Sequence, residues 1–361
     1  MYFKNINIKN FRNYKDLFLD FNKNINIFLG KNAQGKTNLL ESIYIMGLGK
    51  SFRTNKDQEM ITFGENNSKV ISHVIDEKED KDTEIEINFN NEGKLIKVDG
   101  VKLQRTVDLL ENVYIVVFSP DDLKIVKEGP ENRRRFLDRE LCQIKPIYYS
   151  DLGNYKKVLK QRNQLLRDQN KDSKLFDVFD ESLADYGIRI VKERKSFVDR
   201  LLNISNNIHN KISEGAENLE ISYETKVSTK EEYLEHLKKN REIDYIKGYT
   251  NFGPHKDDLK IVVNGTDIRT FGSQGQQRTA ALSMKLAEIG LIKEETGENA
   301  VLLLDDVLSE LDQNRQRFLI EAMKEVQVFI TATEIEESLK NKLPAGNTYY
   351  VDNGIVNLYN I

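Results

Sequence analysis

Hydrophobic positions recur three and four residues apart through the middle of the chain and alternate near its two ends. Tyr148, Leu152, Tyr155, Leu159 and Leu166 follow the helical rule, and Phe179, Leu183, Tyr186, Ile190, Phe197, Leu201, Ile204 and Ile208 continue it on a second segment. No proline falls between 147 and 253, so nothing there interrupts a long helix. The polar run 168–173 predicts a reversal between the two helices, and Ser228 with Glu231 predicts a capping box opening a further helix through Tyr233, Leu234 and Leu237. Two helices packed on these stripes form an arm, although an ordinary helical domain satisfies the pattern too.

Ile6 and Ile8, then Leu17, Leu19 and Phe21, alternate with polar residues, the period of a half-buried strand. Ile25 to Leu29, Val113 to Phe118, Leu259 to Val263, Val301 to Leu304 and Val326 to Ile330 read as further strands, the last two buried and parallel. The expected architecture is an α/β domain over 1–125 and 248–361, split by a helical arm over 126–247.

Charge and cysteine content narrow the function classes. With 54 Lys+Arg against 58 Asp+Glu the net charge is -4, which excludes nucleic-acid binding through uniform basicity but leaves room for a local basic patch. The single Cys142 excludes an intrachain disulfide and fits a reducing compartment. No uncharged apolar run approaches the roughly 18 residues of a membrane span, so the expectation is a cytoplasmic protein without a membrane partner.

Directly after the strand at Ile25 to Leu29 stands Gly30-Lys31-Asn32-Ala33-Gln34-Gly35-Lys36-Thr37, with Asn38 next. This is GxxxxGK[ST] in the strand, loop and helix setting the motif requires. Glycines let backbone N–H groups turn toward a phosphate, and the following helix directs its positive end at the anion. Lys36 then reaches the β- and γ-phosphates of ATP, and the Thr37 hydroxyl ligates Mg²⁺. Val301 to Asp306 delivers two carboxylates to a strand end: Asp305 to hold Mg²⁺ through water, Asp306 to orient and deprotonate the attacking water. Ser273-Gln274-Gly275-Gln276-Gln277-Arg278 opens a helix with Ser273 as N-cap, making a second anion-binding end from Ser273, Gly275 and Gln276. Ser309-Glu310-Leu311-Asp312 follows the paired acids, and the order of the four motifs is that of ATP-binding cassettes. The guanine-reading NKxD of GTPases is missing, since Asn55-Lys56-Asp57 has its acid one residue too early.

Further segments carry a more specific resemblance: Asn10-Phe11-Arg12-Asn13-Tyr14, Gly49-Lys50-Ser51-Phe52-Arg53, Gly129-Pro130 with Arg133-Arg134-Arg135-Phe136-Leu137-Asp138, and Gly253-Pro254-His255-Lys256-Asp257-Asp258. Together with the motifs above they resemble the RecF family of bacterial recombination and gap-repair ATPases, related to the SMC heads. The resemblance implies an ABC-type P-loop ATPase head with an inserted helical arm, binding ATP and DNA, with Arg12 joining the nucleotide-binding residues. It also implies work with RecO and RecR at single-strand gaps and junctions, and help in placing RecA there. An ATP-dependent homodimer is implied too, in which Ser273 and Gly275 of one copy reach a γ-phosphate held by Lys36 of the other.

Two departures from transporter cassettes bear on mechanism. Those cassettes place Glu where Asp306 stands and a His within the stretch that reads Thr331-Ala332-Thr333-Glu334 here, so turnover is expected to be slow. The ATPase subunit of a membrane transporter is the alternative reading, and the 237 positions between Lys36 and Ser273 tell against it. Candidate DNA contacts are Arg133, Arg134 and Arg135, with Lys156, Lys157, Lys160 and Arg162 on the first arm helix. His255 either reports the active site or closes a turn. No Q-loop glutamine is identifiable, although 119–122 falls in that region.

Overall fold

The computed structural model describes residues 1–168 and 172–359. Contacts divide the chain into two compact units, 1–122 with 288–361 and 123–287.

The first unit opens with β1 (Tyr2–Phe11), β2 (Tyr14–Asp20) and β3 (Ile25–Leu29), followed by helix α1 (Lys36–Leu48). Strands β4 (Asn67–Asp76), β5 (Lys81–Asn90), β6 (Gly93–Val98) and β7 (Val101–Lys102) join β1 and β2 in an antiparallel sheet of order β2-β1-β4-β5-β6-β7. After β8 (Ile115–Phe118) the chain leaves the unit, and it returns for β12 (Val301–Asp305), β13 (Val328–Ala332), β14 (Gly346–Asp352) and β15 (Ile355–Leu358). These make the second sheet, β15-β14-β3-β13-β12-β8, parallel except for the edge strand β15. Helix α1 touches strands of both sheets, which is why Leu39, Leu40, Ile43, Tyr44, Ile45 and Met46 are buried on every side of it. Strands β3, β12 and β13 stand where the apolar runs predict them.

The second unit holds α2 (Leu123–Lys127), α3 (Pro130–Ile144), α4 (Pro146–Arg167) and the 40-residue α5 (Ser173–Ile212). Of the reversal expected at 168–173, residues 169–171 lie outside the described residues. Leu183, Ile190, Phe197 and Leu201 are buried as the stripe predicts, but beyond them Ser205, His209 and Ile212 take the inner face, leaving Ile204 and Ile208 at the margin. The capping box sits one residue further than expected: the Thr229 hydroxyl accepts the Glu232 N–H at 3.2 Å and the Glu232 carboxylate accepts the Thr229 N–H at 3.3 Å, opening α6 (Lys230–Lys239). Strand β9 (Leu219–Glu224) pairs with β10 (Asp258–Val263), which also pairs with the short β11 (Thr266–Asp267). That ladder draws 248–287 into the second unit, so the expected return to the head at 248 is corrected to 288. Helix α7 (Arg241–Lys247) packs against α4 and α6, α8 (Ile268–Phe271) packs against β10, and α9 (Gln274–Thr296) leads back to the first unit.

His255 closes a buried polar chain in the second unit. Its Nδ1 accepts the Tyr155 hydroxyl at 2.6 Å, its Nε2–H donates to the Thr250 carbonyl at 2.9 Å, and Tyr233 donates to Tyr155 at 2.9 Å. Gly253, at φ 128°, is required beside it, because a Cβ there would lie 2.6 Å from the Tyr155 hydroxyl. Burial, with the nearby charges of Lys256, Arg134 and Arg194 adding to it, lowers the His255 pKa to about 4, while the Thr250 carbonyl opposes the shift. The unfolded chain takes up this proton near pH 6.5 and the folded one only near 4, so stability is lost as pH falls through that window, by about 3 kcal/mol in all. His255→Gln is therefore expected to cost more stability at pH 7.5 than at pH 4.5. Unfolding curves showing a pH-independent gap between the two proteins would contradict this.

Candidate functional site

Residues Gly30 to Thr37 form the turn from β3 into α1. Gly35, at φ 114°, is the helix N-cap, and a Cβ there would sit 2.5 Å from the Asn13 amide, so only glycine fits. Ala33 also adopts a left-handed conformation, at φ 65°. The loop is tied from outside: Asn13 Nδ2 donates to the Gln34 carbonyl at 3.0 Å, the Tyr14 hydroxyl donates to the Gly35 carbonyl at 3.0 Å, and the Asn353 N–H donates to Gln34 Oε1 at 2.8 Å. Within it, Lys36 Nζ donates to the carbonyls of Gly30 at 2.8 Å and Lys31 at 3.1 Å, which aims the ammonium across the loop.

The parallel register places the acids opposite this loop. Thr37 Oγ1 donates to Asp305 Oδ1 at 2.9 Å, joining the start of α1 to the end of β12 across 268 positions of sequence. Thr331, on the adjoining β13, donates its hydroxyl to the same oxygen at 2.8 Å, while its Oγ1 and carbonyl accept the Asp306 N–H at 3.1 and 3.2 Å. Asp306 is held at φ 53°, a conformation that costs a non-glycine residue energy and that the two Thr331 contacts maintain. Burial raises its pKa and the Asp305 charge adds to this, against the opposing pull of Lys36. Ser309 donates to the Asp306 carbonyl at 3.1 Å, and Asp312 caps α10 (Gln313–Met323) through the Arg315 N–H at 2.9 Å. Two hard oxygen donors, the Thr37 hydroxyl and the Asp305 carboxylate, thus meet beside a nest of backbone amides, a donor set that suits Mg²⁺ shared with phosphate oxygens.

In the second unit, Ser273 caps α9 as the sequence predicts. Its Oγ accepts the Gln276 N–H at 3.2 Å, and Gln276 Oε1 accepts the Ser273 N–H at 3.0 Å. Ser273 and Gly275 are exposed, and the neighbouring Phe271 is 77% exposed.

The basic residues divide. Arg162 is fully buried, donating to Asp180 at 2.7 Å and to Asp244 and Thr250 at 2.8 Å, because it lies seven residues after Tyr155 and four before Leu166 on the inner stripe of α4. Arg133 is buried against Asp258 at 2.7 and 2.8 Å. Both are corrected from surface contacts to internal ion pairs. Arg134 is half-buried and donates to the Asp257 carbonyl at 2.7 Å, and Arg135 is exposed beside Glu131. Lys156, Lys157 and Lys160 are exposed on the outer face of α4, with Lys156 3.7 Å from Asp138.

Comparison with known proteins settles the lineage of this arrangement. The family described as RecF/RecN/SMC N terminal domain matches residues 2–355. The DNA replication and repair protein RecF of Clostridium botulinum (strain Okra / Type B1) is 47% identical over 360 residues, covering 98% of this chain and 99% of that one. The chain belongs to the RecF family. RecF of Alkaliphilus oremlandii is 45% identical over 366 residues, with 98% and 99% covered. A solved structure of the recombination mediator protein RecF with ATP in the RecFOR pathway superposes at a TM-score of 0.92 with 39% identity, covering 99% of this chain and 98% of that one. An Smc head bound to the C-winged helix domain of ScpA, at 16% identity and a TM-score of 0.58, shares the fold. Among the described residues, no helix is long and apolar enough to cross a membrane.

Two of the segments that carry the family resemblance converge beside the turn from β3 into α1. Arg12 donates to Glu41 from Nε at 2.8 Å and Nη2 at 2.7 Å, and to the Glu59 carbonyl from Nη1 at 2.6 Å; Arg53 donates to Asn38 Oδ1 at 2.6 Å. Glu41 and Thr331 escaped the sequence reading: Glu41 sits inside an apolar helix, where no motif flags it, and Thr331 registers only as a missing histidine.

Proposed function

We propose that this chain is an ATP-dependent DNA-binding protein of recombinational gap repair and replication restart, which assists RecA loading together with RecO and RecR. The observation that carries the ATP assignment is the Thr37 to Asp305 hydrogen bond at 2.9 Å, which joins the phosphate loop to the paired acids. RecF with ATP in the RecFOR pathway, similar over 99% of this chain, supports both the nucleotide and the partners. Lys36 and the loop amides bind the β- and γ-phosphates, with Gly30 through Asn38 and Arg12 forming the pocket. Thr37 and Asp305 would hold Mg²⁺, which would supply charge neutralisation at the phosphates. Asp306 takes a proton from the water that attacks the γ-phosphorus, and ADP departs with the bridging oxygen. Thr331 occupies itself with the two acids and brings no positive charge to the γ-phosphate, so hydrolysis is slow and serves as a timer. ATP joins two copies head to tail through Ser273, Gly275 and Gln276.

A titration of gapped and duplex DNA with and without Mg·ATP, alongside phosphate release, tests this reading. ATP-independent DNA affinity together with no nucleotide binding would refute it. Within that interface, the exposed α4 lysines meet DNA phosphates. Reversing Lys156, Lys157 and Lys160 to Glu is expected to weaken binding on all sequences alike and to flatten the log–log salt slope by about 2 to 3. An unchanged slope would remove α4 from the interface.

A further inference from the structure

Glu41 is a fully buried carboxylate on α1, one turn beyond Lys36 and Thr37. A charge in that position is costly unless it is paired and hydrogen-bonded. Here it accepts both Arg12 donors, the Ser51 hydroxyl and, at 3.4 Å, Arg53 Nη1. The Arg53 guanidinium passes the connection to Asn38 Oδ1 at 2.6 Å, Asn38 Nδ2 donates to Asn13 Oδ1 at 2.8 Å, and the backbone from Asn13 to Arg12 closes the circuit. Asn13 in turn holds the Gln34 carbonyl of the phosphate loop at 3.0 Å. Five side chains from three separate segments therefore form one hydrogen-bonded ring around the first turn of α1, with Glu41 as its anchor. Arg53 is 43% exposed, and its Nε and Nη2 make no hydrogen bond among the described residues.

We propose that Glu41 is a positioning residue of the nucleotide site, holding the guanidiniums of Arg12 and Arg53 as a fixed pair beside the phosphate loop so that they meet a bound nucleotide without rearranging. The inference rests on the nucleotide assignment above. Two guanidiniums against one carboxylate leave the ring positive, and a guanidinium locked at one edge loses little freedom when its other edge takes an anion.

Charge and position make opposite predictions for Glu41→Gln. The substitution adds one positive charge near a polyanion, so a purely electrostatic role gives tighter Mg·ATP binding. A positioning role gives weaker binding, by roughly tenfold, because an amide accepts fewer donors and presents N–H groups to the guanidiniums. In an Arg53→Ala background the same change should cost several-fold less, since half of what Glu41 positions is gone. Arg53→Lys supplies the check should Glu41→Gln not fold: it keeps the charge at an exposed site but cannot bridge Asn38 and Glu41, so it should bind Mg·ATP as weakly as Arg53→Ala. Equilibrium titration of the full-length variants with fluorescent Mg·ATP decides. Wild-type or tighter affinity in a folded Glu41→Gln, or wild-type affinity in Arg53→Lys, overturns the positioning role. Lys36→Ala separates the two readings: if it alone binds normally, the nucleotide assignment itself fails.

Discussion

Lys36→Ala is expected to weaken Mg·ATP binding by about a hundredfold or more, whereas Asp306→Asn leaves binding near wild type and lowers turnover by about a hundredfold to ten-thousandfold. The two residues act at different stages. Lys36 Nζ already lies across the loop on the carbonyls of Gly30 and Lys31, so a phosphate entering the amide nest meets a positioned ammonium, and removing it deletes a charge-assisted contact made in the ground state. In the proposed mechanism Asp306 contributes only when the attacking water loses its proton. Asn preserves the size and the left-handed backbone, since asparagine tolerates that conformation better than most residues, but it cannot accept the proton. Titration with Mg·ATP and single-turnover phosphate release separate the effects. Near-native affinity in Lys36→Ala would refute the phosphate-loop assignment, and near-native hydrolysis in Asp306→Asn would move the base elsewhere.

Much of this site was legible because its parts are local in sequence. A glycine-rich turn needs glycines at fixed offsets between an apolar strand and a helix, and two acids must end a buried parallel strand, so spacing alone exposes them. Strands β4 and β5 were invisible for the opposite reason: Ser68, Ser72 and Thr83 occupy their buried face and dilute the apolar alternation. The role of Glu41 depends on three segments meeting, which no local window contains. The basic residues mislead in a physically instructive way. Arg133 and Arg162 look like surface charge in the sequence, yet their spacing from Phe136 and Leu166 puts them on inner helix faces, where Asp258, Asp180 and Asp244 neutralise them. Reading each arginine against its helix stripe would have separated them from Lys156, Lys157 and Lys160.

Ser273→Arg is expected to leave ATP binding to the monomer intact while abolishing ATP-dependent pairing and hydrolysis. Ser273 belongs to the second unit and Lys36 to the first, and the RecF-family resemblance implies that the signature end of α9 in one copy completes the loop of another. Local structure supports an exposed, preformed end: the reciprocal Ser273 and Gln276 bonds fix the cap, and Phe271 beside it leaves a large aromatic ring in water. In the proposed pair a second chain covers this surface and two sandwiched nucleotides add affinity for the paired state alone, so ATP is expected to drive association and loss of the γ-phosphate to reverse it. An arginine at 273 breaks the cap and, in the proposed pair, places bulk where the partner's nucleotide would lie, while the Gly30–Thr37 loop of the same chain keeps its sequence. Mixing Ser273→Arg with Lys36→Ala sharpens the test. The mixture has one composite site with an intact loop from the first chain and an intact signature from the second, so it should recover part of the pairing that neither variant shows alone. Light scattering with a slowly hydrolysed ATP analogue measures each mixture. A Ser273→Arg protein that pairs with itself as well as wild type would sink the shared site, because the signature serine would then lie away from the interface that ATP closes.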